Sequence, residues 1–319
     1  MMAFLQYAMQ IIISFLMISM VFIMVPRATV SLQRVNEILN MKSSIINPKE
    51  PKHFPSNGKG KIEFRDVTFS YPDANLPVLS GINFTAEPGQ TTAFIGSTGS
   101  GKSTLINLIP RFYDVSAGQI LIDDIDIREV SSNELMSRIG YIPQKGVLFS
   151  GTITSNIAYG NPKASSKQIE EAAKIAQAAE FINELDKKYS SNVSQGGKNV
   201  SGGQRQRLSI ARALATDAKI YIFDDSFSAL DFKTDARLRQ ALTKKTKNKT
   251  VLIVAQRINT IMNADKIIVL NEGKIVGQGT HAELMKSCSI YREIASSQLS
   301  DEELSDLEKA PSKKQKRAK

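Results

Sequence analysis

The sequence predicts an α/β fold: a mostly parallel sheet built around a phosphate-binding loop, with one membrane-length helix ahead of it. Three observations carry that prediction. An apolar run, Thr92-Ala93-Phe94-Ile95, leads into Gly96-Ser97-Thr98-Gly99-Ser100-Gly101-Lys102-Ser103-Thr104 and then Leu105–Ile109, an order of strand, glycine loop and helix. Further apolar strand candidates alternate with helical stretches toward the C-terminus, the pattern of a parallel sheet. Ahead of both, Ala3 to Val25 runs twenty-three residues without a charge.

That uncharged run is long enough to cross a hydrocarbon core of about 30 Å at roughly 1.5 Å per residue. A secretory signal would have a shorter apolar part with basic residues before it, whereas here Arg27 and Arg34 come after the run. Basic residues on that side place the following segment in the cytoplasm. Residues 27–46 read as a cytoplasmic helical extension, with Val30, Leu32, Val35, Ile38 and Leu39 on one stripe. Residues 47–60, rich in proline and ending in glycines, read as a linker before a domain spanning 61–298. Strands are expected at Ile62–Phe69, Val78–Phe84, Thr92–Ile95, Ile120–Ile122, Ile220–Phe223, Val251–Val254 and Ile267–Leu270. A helix is expected over 165–184, opened by a Ser165-x-x-Gln168 capping box with Ile169, Ala172, Ala173, Ala176 and Ala179 on one face. Thr280 and Glu283 suggest a second box, with His281 in a structural place. Residues 299–319 lack apolar periodicity and read as a disordered charged tail.

The glycine loop carries the first chemistry. Glycines let backbone N–H groups turn inward around a polyphosphate, and the helix start adds partial positive charge. Gly96, Ser97, Thr98, Gly99, Ser100, Gly101 and Thr104 are the expected cradle; Lys102 reaches the β- and γ-phosphates, and Ser103 offers its hydroxyl to Mg²⁺. A second element, Lys219-Ile220-Tyr221-Ile222-Phe223, is an apolar strand ending in Asp224-Asp225. Asp224 is placed to hold the Mg²⁺ shell and Asp225 to face the γ-phosphate.

Between these lies Val200-Ser201-Gly202-Gly203-Gln204, which resembles the LSGGQ signature of the ATP-binding cassette (ABC) family except at Val200. Other matches follow in the family's order over residues 1–300. Tyr71 occupies the place of the aromatic that stacks on adenine, Gln144 that of the glutamine touching Mg²⁺ and the membrane domain, and Ser228-Ala229-Leu230-Asp231 that of the dimer-contact loop. Leu148-Phe149-Ser150-Gly151-Thr152-Ile153 is similar to the exporter branch. The resemblance implies a P-loop NTPase domain with an antiparallel β subdomain and a helical subdomain. It also implies that residues 1–46 are the last membrane helix of a six-helix domain and its extension, the other helices coming from an upstream stretch or another polypeptide. In such proteins two domains pair head to tail, and Ser201, Gly202, Gly203 and Gln204 close on the partner's ATP. Ser201 suits a helix N-cap whose glycines leave N–H groups open for an anion.

Three positions depart from the family. Asp225 stands where a glutamate normally orients the attacking water; it is one methylene shorter, and about 1 Å of misplacement costs on the order of a hundredfold in rate. Gln256 stands where the family carries a histidine, and an amide cannot become cationic. Gln195 stands where exporters carry a glutamate. Asp225 and Gln256 belong to one composite site, with Lys102 and Gln144; the signature serves the other. The pattern resembles the degenerate half of heterodimeric multidrug or lipid exporters, which bind ATP and hydrolyse it slowly; a homodimer with two slow sites is the alternative.

Composition narrows the remaining classes. The net charge is +10, and residues 301–319 carry six bases and five acids, so the excess belongs to the rest of the chain. A basic body would suit a soluble cassette ATPase on nucleic acid, but Ala3–Val25 argues against one and favours an anionic membrane leaflet. A truncated, non-transporting product is a further alternative. The single cysteine, Cys288, excludes a disulfide framework within the chain. The expected surroundings are therefore ATP, Mg²⁺, a second exporter half, the plasma-membrane bilayer with the nucleotide domain on its cytoplasmic side, and a small amphipathic substrate; no nucleic acid is expected.

Overall fold

A computed structural model describes residues 1–72 and 74–298. The tail expected at 299–319 lies outside the described residues. The chain divides into two compact units, one over residues 1–46 and the other from Asn47 onward.

The first unit is a single helix, α1 (Met2–Leu39), with Pro26 inside it and no buried residue along its length. Its 38 residues are long and apolar enough to cross a membrane. The helix stops at Leu39 rather than continuing to residue 46: the N–H of Asn40 donates to Asn36 O at 2.9 Å and that of Met41 to Ile38 O at 3.2 Å, closing the last turn.

The described residues of the second unit form twelve strands. In chain order they are β1 (Ile62–Phe69), β2 (Leu79–Ala86), β3 (Thr91–Gly96), β4 (Ala117–Ile122), β5 (Ile125–Asp126) and β6 (Ile139–Ile142). They continue with β7 (Gly151–Thr152), β8 (Asn192–Val193), β9 (Ile220–Asp224), β10 (Thr250–Val254), β11 (Lys266–Asn271) and β12 (Lys274–Gly279). The helices are α2 (Lys102–Leu108), α3 (Ser132–Ser137), α4 (Ile153–Ile157), α5 (Ser166–Ile175) and α6 (Ala179–Glu184). The remaining five are α7 (Gly202–Ala215), α8 (Phe232–Lys245), α9 (Ile258–Ile261), α10 (His281–Ser287) and α11 (Ser289–Ser296).

The main sheet has the order β12-β11-β3-β10-β9-β6, parallel throughout except for β12 at its edge. A separate antiparallel sheet, β2-β1-β4-β5, supplies the β subdomain. Helices α4 to α7 pack around their own apolar cluster with Phe181, Ile182, Leu208 and Tyr221, forming the helical subdomain. Strand β9 feeds both sides of the sheet: Ile220 and Ile222 join the core shared with the β subdomain, while Tyr221 and Phe223 join the helical one. That alternation is the period of two expected of a strand buried on both faces.

The helix expected over 165–184 is two helices. Its start is as anticipated, a capping box between Ser165 and Gln168. Its middle breaks because Gln177 takes the left-handed conformation at φ 56°. The N–H groups of Ala178 and Gln177 donate back to Ala173 and Lys174 at 2.8 and 3.1 Å, a Schellman closure that ends α5. The apolar stripe resumes in α6, which is why periodicity alone joined the two. The Thr280–Glu283 capping box forms, and His281 is buried beside Tyr291, whose hydroxyl lies 2.7 Å from its Nδ1.

Candidate active site

The parallel strands present their carboxyl ends to one edge, where ligands of open α/β sheets bind. Strand β3 ends at Gly96, β9 at Asp224, β6 just before Pro143-Gln144, and β10 just before Ala255-Gln256. The register sets Val254 against both Asp224 and Phe94, and Ile142 against Phe223. Residues distant in sequence converge because their strands are neighbours.

The phosphate loop follows β3 without slack. A Cβ on Gly96 would meet the carbonyl oxygen of Leu270 on the adjacent strand. Gly101 caps α2 at φ 96°, where a Cβ would approach Leu79 Cδ2 to 2.7 Å. These two positions require glycine for both conformation and space. Lys102 is only 9% exposed. Its ammonium donates to the carbonyls of Gly96 and Ser97 at 2.9 and 2.7 Å and lies 3.4 Å from Ser100 Oγ. Burial lowers its pKa from the usual lysine range, against the opposing pull of Asp225 and Asp224. A desolvated cation held at the loop's mouth is a strong anion partner. Thr104 Oγ1 lies 3.0 Å from the hydroxyl of Tyr71, whose ring packs edge-to-face with Phe69 and Tyr113. The expected adenine platform is thereby tied to the loop itself.

Ser103 Oγ donates to Asp224 Oδ1 at 3.1 Å. Burial raises the pKa of Asp224 above the ordinary carboxylate value, an effect the Ser103 bond partly offsets. Hydroxyl, carboxylate and the amide oxygen of Gln144 are hard oxygen donors suited to Mg²⁺. Neighbouring ligands about 2.1 Å from an octahedral ion lie about 3 Å apart, close to the Ser103–Asp224 separation. The Ser103 hydroxyl and the Asp224 carboxylate therefore fit the ion that polyphosphate chemistry needs, and Gln144 carries a further oxygen donor of the right kind.

Asp225 occupies a sharper position. Its backbone is left-handed at φ 44°, a conformation that Asp tolerates better than most non-glycine residues. Gln144 Nε2 and Gln256 Nε2 both donate to its Oδ2, at 3.3 and 2.9 Å. Burial raises its pKa, while bonds from Gln144 and Ser228 and the nearby Arg257 and Lys102 charges act in the opposite direction. The carboxylate is anchored by two amides that cannot change charge.

Ser201, Gly202, Gly203 and Gln204 lie outside this hydrogen-bonded set. They open α7, where Ser201 Oγ accepts from Gln204 N at 3.2 Å and Gln204 Oε1 accepts from Ser201 N at 2.9 Å. Gly203 sits close to the loop that follows β9, since a Cβ on it would lie 3.5 Å from the carbonyl oxygen of Ala229. Val200 is partly buried against the helical core, and Gln195 is exposed in a short 3₁₀ turn.

Three supporting residues escaped the sequence reading. Gln206, 2% exposed, accepts from Gly146 N at 2.9 Å and donates to Pro143 O at 3.2 Å, bracketing Gln144. Ser226 Oγ donates to Ile142 O at 2.9 Å, joining the ends of β9 and β6. Tyr141 donates to Asn107 Oδ1 at 2.8 Å, and burial raises its pKa well above the ordinary phenol value. A buried polar residue in an otherwise apolar stripe is the only signal that could have singled out Gln206.

A phosphate loop after a central strand, an acid at the end of the next strand but one, and a capped glycine pair opening α7 define a class: a nucleotide-binding domain of the ATP-binding cassette type. Comparison with known proteins agrees. The family model described as "ABC transporter" matches residues 79–228. An ABC transporter ATP-binding protein of Mycobacterium bovis is 46% identical over 300 residues, covering 93% of this chain and 51% of the relative. An ATP-dependent lipid A-core flippase of Syntrophus aciditrophicus is 43% identical, covering 86% and 45%. A putative multidrug export ATP-binding/permease protein of Staphylococcus aureus is also 43% identical, covering 83% and 45%. A solved bacterial Atm1-family ABC exporter with ATP bound superposes with a TM-score of 0.81 at 33% identity, covering 88% of this chain and 49% of that one. Residues 79–228 thus carry the nucleotide-binding domain of the ABC transporter family. The chain spans about half the length of the curated relatives it matches.

Proposed function

We propose that this chain is the ATP-binding subunit of an ABC exporter, whose own site holds ATP firmly and hydrolyses it slowly. The observation that carries this reading is the contrast inside one site. Lys102, Ser103 and Asp224 keep every group that binding requires, while the γ-phosphate corner has Asp225 and Gln256 with Gln144 on a single carboxylate oxygen. Bound with ATP, Mg²⁺ would neutralise developing phosphate charge, held by Ser103, Asp224 and Gln144. Asp225, short by one methylene and tethered by two amides, holds the attacking water away from its in-line position. Gln256 donates a neutral hydrogen bond where a cation would stabilise more charge.

Residues 1–46 act in this reading as the last membrane helix and its cytoplasmic extension, 47–60 as a linker, and 61–298 as the nucleotide domain on the cytoplasmic face of the plasma membrane. The exporter and flippase relatives support this order and favour a small amphipathic cargo: drug, lipid or peptide. The signature at Ser201–Gln204 closes on the ATP of a second exporter half, whose hydrolysis it completes. A homodimer is the second reading, favoured by the intact cradle and signature residing in one chain.

The two readings separate in the complex purified from membranes through a tag on this chain. Ser201→Arg should lower its ATPase activity more than about tenfold, while Asp225→Asn lowers it less than about twofold. Abolition by Asp225→Asn would establish the homodimer and overturn the slow-site assignment.

A further inference from the structure

Gln256 is held from an unexpected direction. It sits in an exposed connection between β10 and α9, and the N-cap of α9, Arg257, makes no side-chain cap. The role is taken by Gln298, beyond the end of α11. Its Oε1 accepts from the N–H of Ile258 at 2.9 Å, and its Nε2 donates to the carbonyl of Gln256 at 2.8 Å. One side-chain amide thus pairs with the backbone on both sides of Arg257, as a neighbouring strand would. Helix α11 is itself anchored, with Tyr291 and Ala295 buried in the cluster that also contains Ala255, Ile258 and Ile261. Gln298 therefore projects from packed structure, and its own N–H donates to Ala295 O at 3.0 Å.

The arrangement matches the one on the opposite side of the site. There, Gln206 brackets Gln144 by bonding Pro143 O and Gly146 N. Gln206 bonds the backbone on either side of Gln144, Gln298 bonds the carbonyl of Gln256 and the N–H of Ile258, and both inner amides end on Asp225 Oδ2.

We propose that Gln298 is a positioning residue for hydrolysis: it fixes the loop that aims Gln256 at Asp225 and the γ-phosphate. Its effect on catalysis rests on the proposed reading of the site, whereas its effect on the loop does not. Gln298 touches neither nucleotide nor reacting atoms, so its loss acts on turnover and spares binding. Gln298→Met keeps length and volume and removes both hydrogen bonds. Gln298→Glu keeps the acceptor for Ile258 N–H and loses the donor.

The test uses the full chain, in its complex where turnover is measured. Gln298→Met should speed amide hydrogen exchange at Ile258 and its neighbours about fivefold or more, with Gln298→Glu intermediate, since each bond lost contributes modestly. Single-turnover hydrolysis at this chain's site should fall about threefold or more, with the ATP dissociation constant unchanged. In a Gln256→Ala background the same substitution should cost nothing further, because coupled residues are non-additive. Faster exchange without detectable hydrolysis at this site would support the clamp and refute the catalytic reading. Unchanged exchange, or a loss of rate that adds in full to that of Gln256→Ala, would overturn the proposal.

Discussion

The phosphate loop and the γ-phosphate corner are two ends of one site, built on different principles. The loop is local: nine consecutive residues fold around one buried ammonium, so its form follows from glycine conformation and the strand it leaves. The corner is assembled: Gln144, Asp225 and Gln256 come from three strand ends and meet through side-chain reach. A backbone cradle survives changes around it, whereas a side-chain constellation changes character with one methylene. Binding and turnover can therefore separate within a single ATPase domain, because they depend on different parts of it.

The largest expected effect breaks the first half of that comparison. Lys102→Ala removes a charge aimed at the phosphates, and ATP affinity should fall on the order of a hundredfold in equilibrium binding by the purified chain. A drop of only about twofold would mean that the backbone cradle alone holds the nucleotide.

A much smaller effect marks what lies outside both ends. Burial depresses the pKa of His281 below its unfolded value of 6.5. The unfolded chain then takes up the proton first, so the stability this neutral histidine contributes is present above pH 6.5 and lost as pH falls below it. The Tm of the wild type should drop relative to that of His281→Gln between about pH 7.5 and about pH 5.5, with ATP affinity parallel in both proteins. A constant Tm difference across that interval would contradict the assignment.

The same division explains what could be read before the structure. The glycine loop between strand and helix, the Asp224-Asp225 pair, the capping boxes at Ser165 and Thr280 and the N-cap at Ser201 are local patterns, and each lies where its spacing placed it. The strand ends were also close, with β1 at Ile62–Phe69 and β9 extending one residue to Asp224. Strand β6 was missed because Ile139–Ile142 is four residues with a glycine inside, too short for a period. Strand β12 carries two glycines and exposes every second residue at the sheet edge. Helix α8 buries only Leu238 and Leu242 among many charges, leaving little stripe to detect. Gln206 and Gln298 were illegible for another reason: their partners are backbone groups on remote loops, visible only once strand order sets those loops beside them.

Restoring the missing methylene separates holding ATP from cleaving it. Asp225→Glu in the purified complex should raise single-turnover hydrolysis at this chain's site about tenfold or more, with the ATP dissociation constant unchanged. A hydrolysis rate equal to that of the wild type would contradict the account.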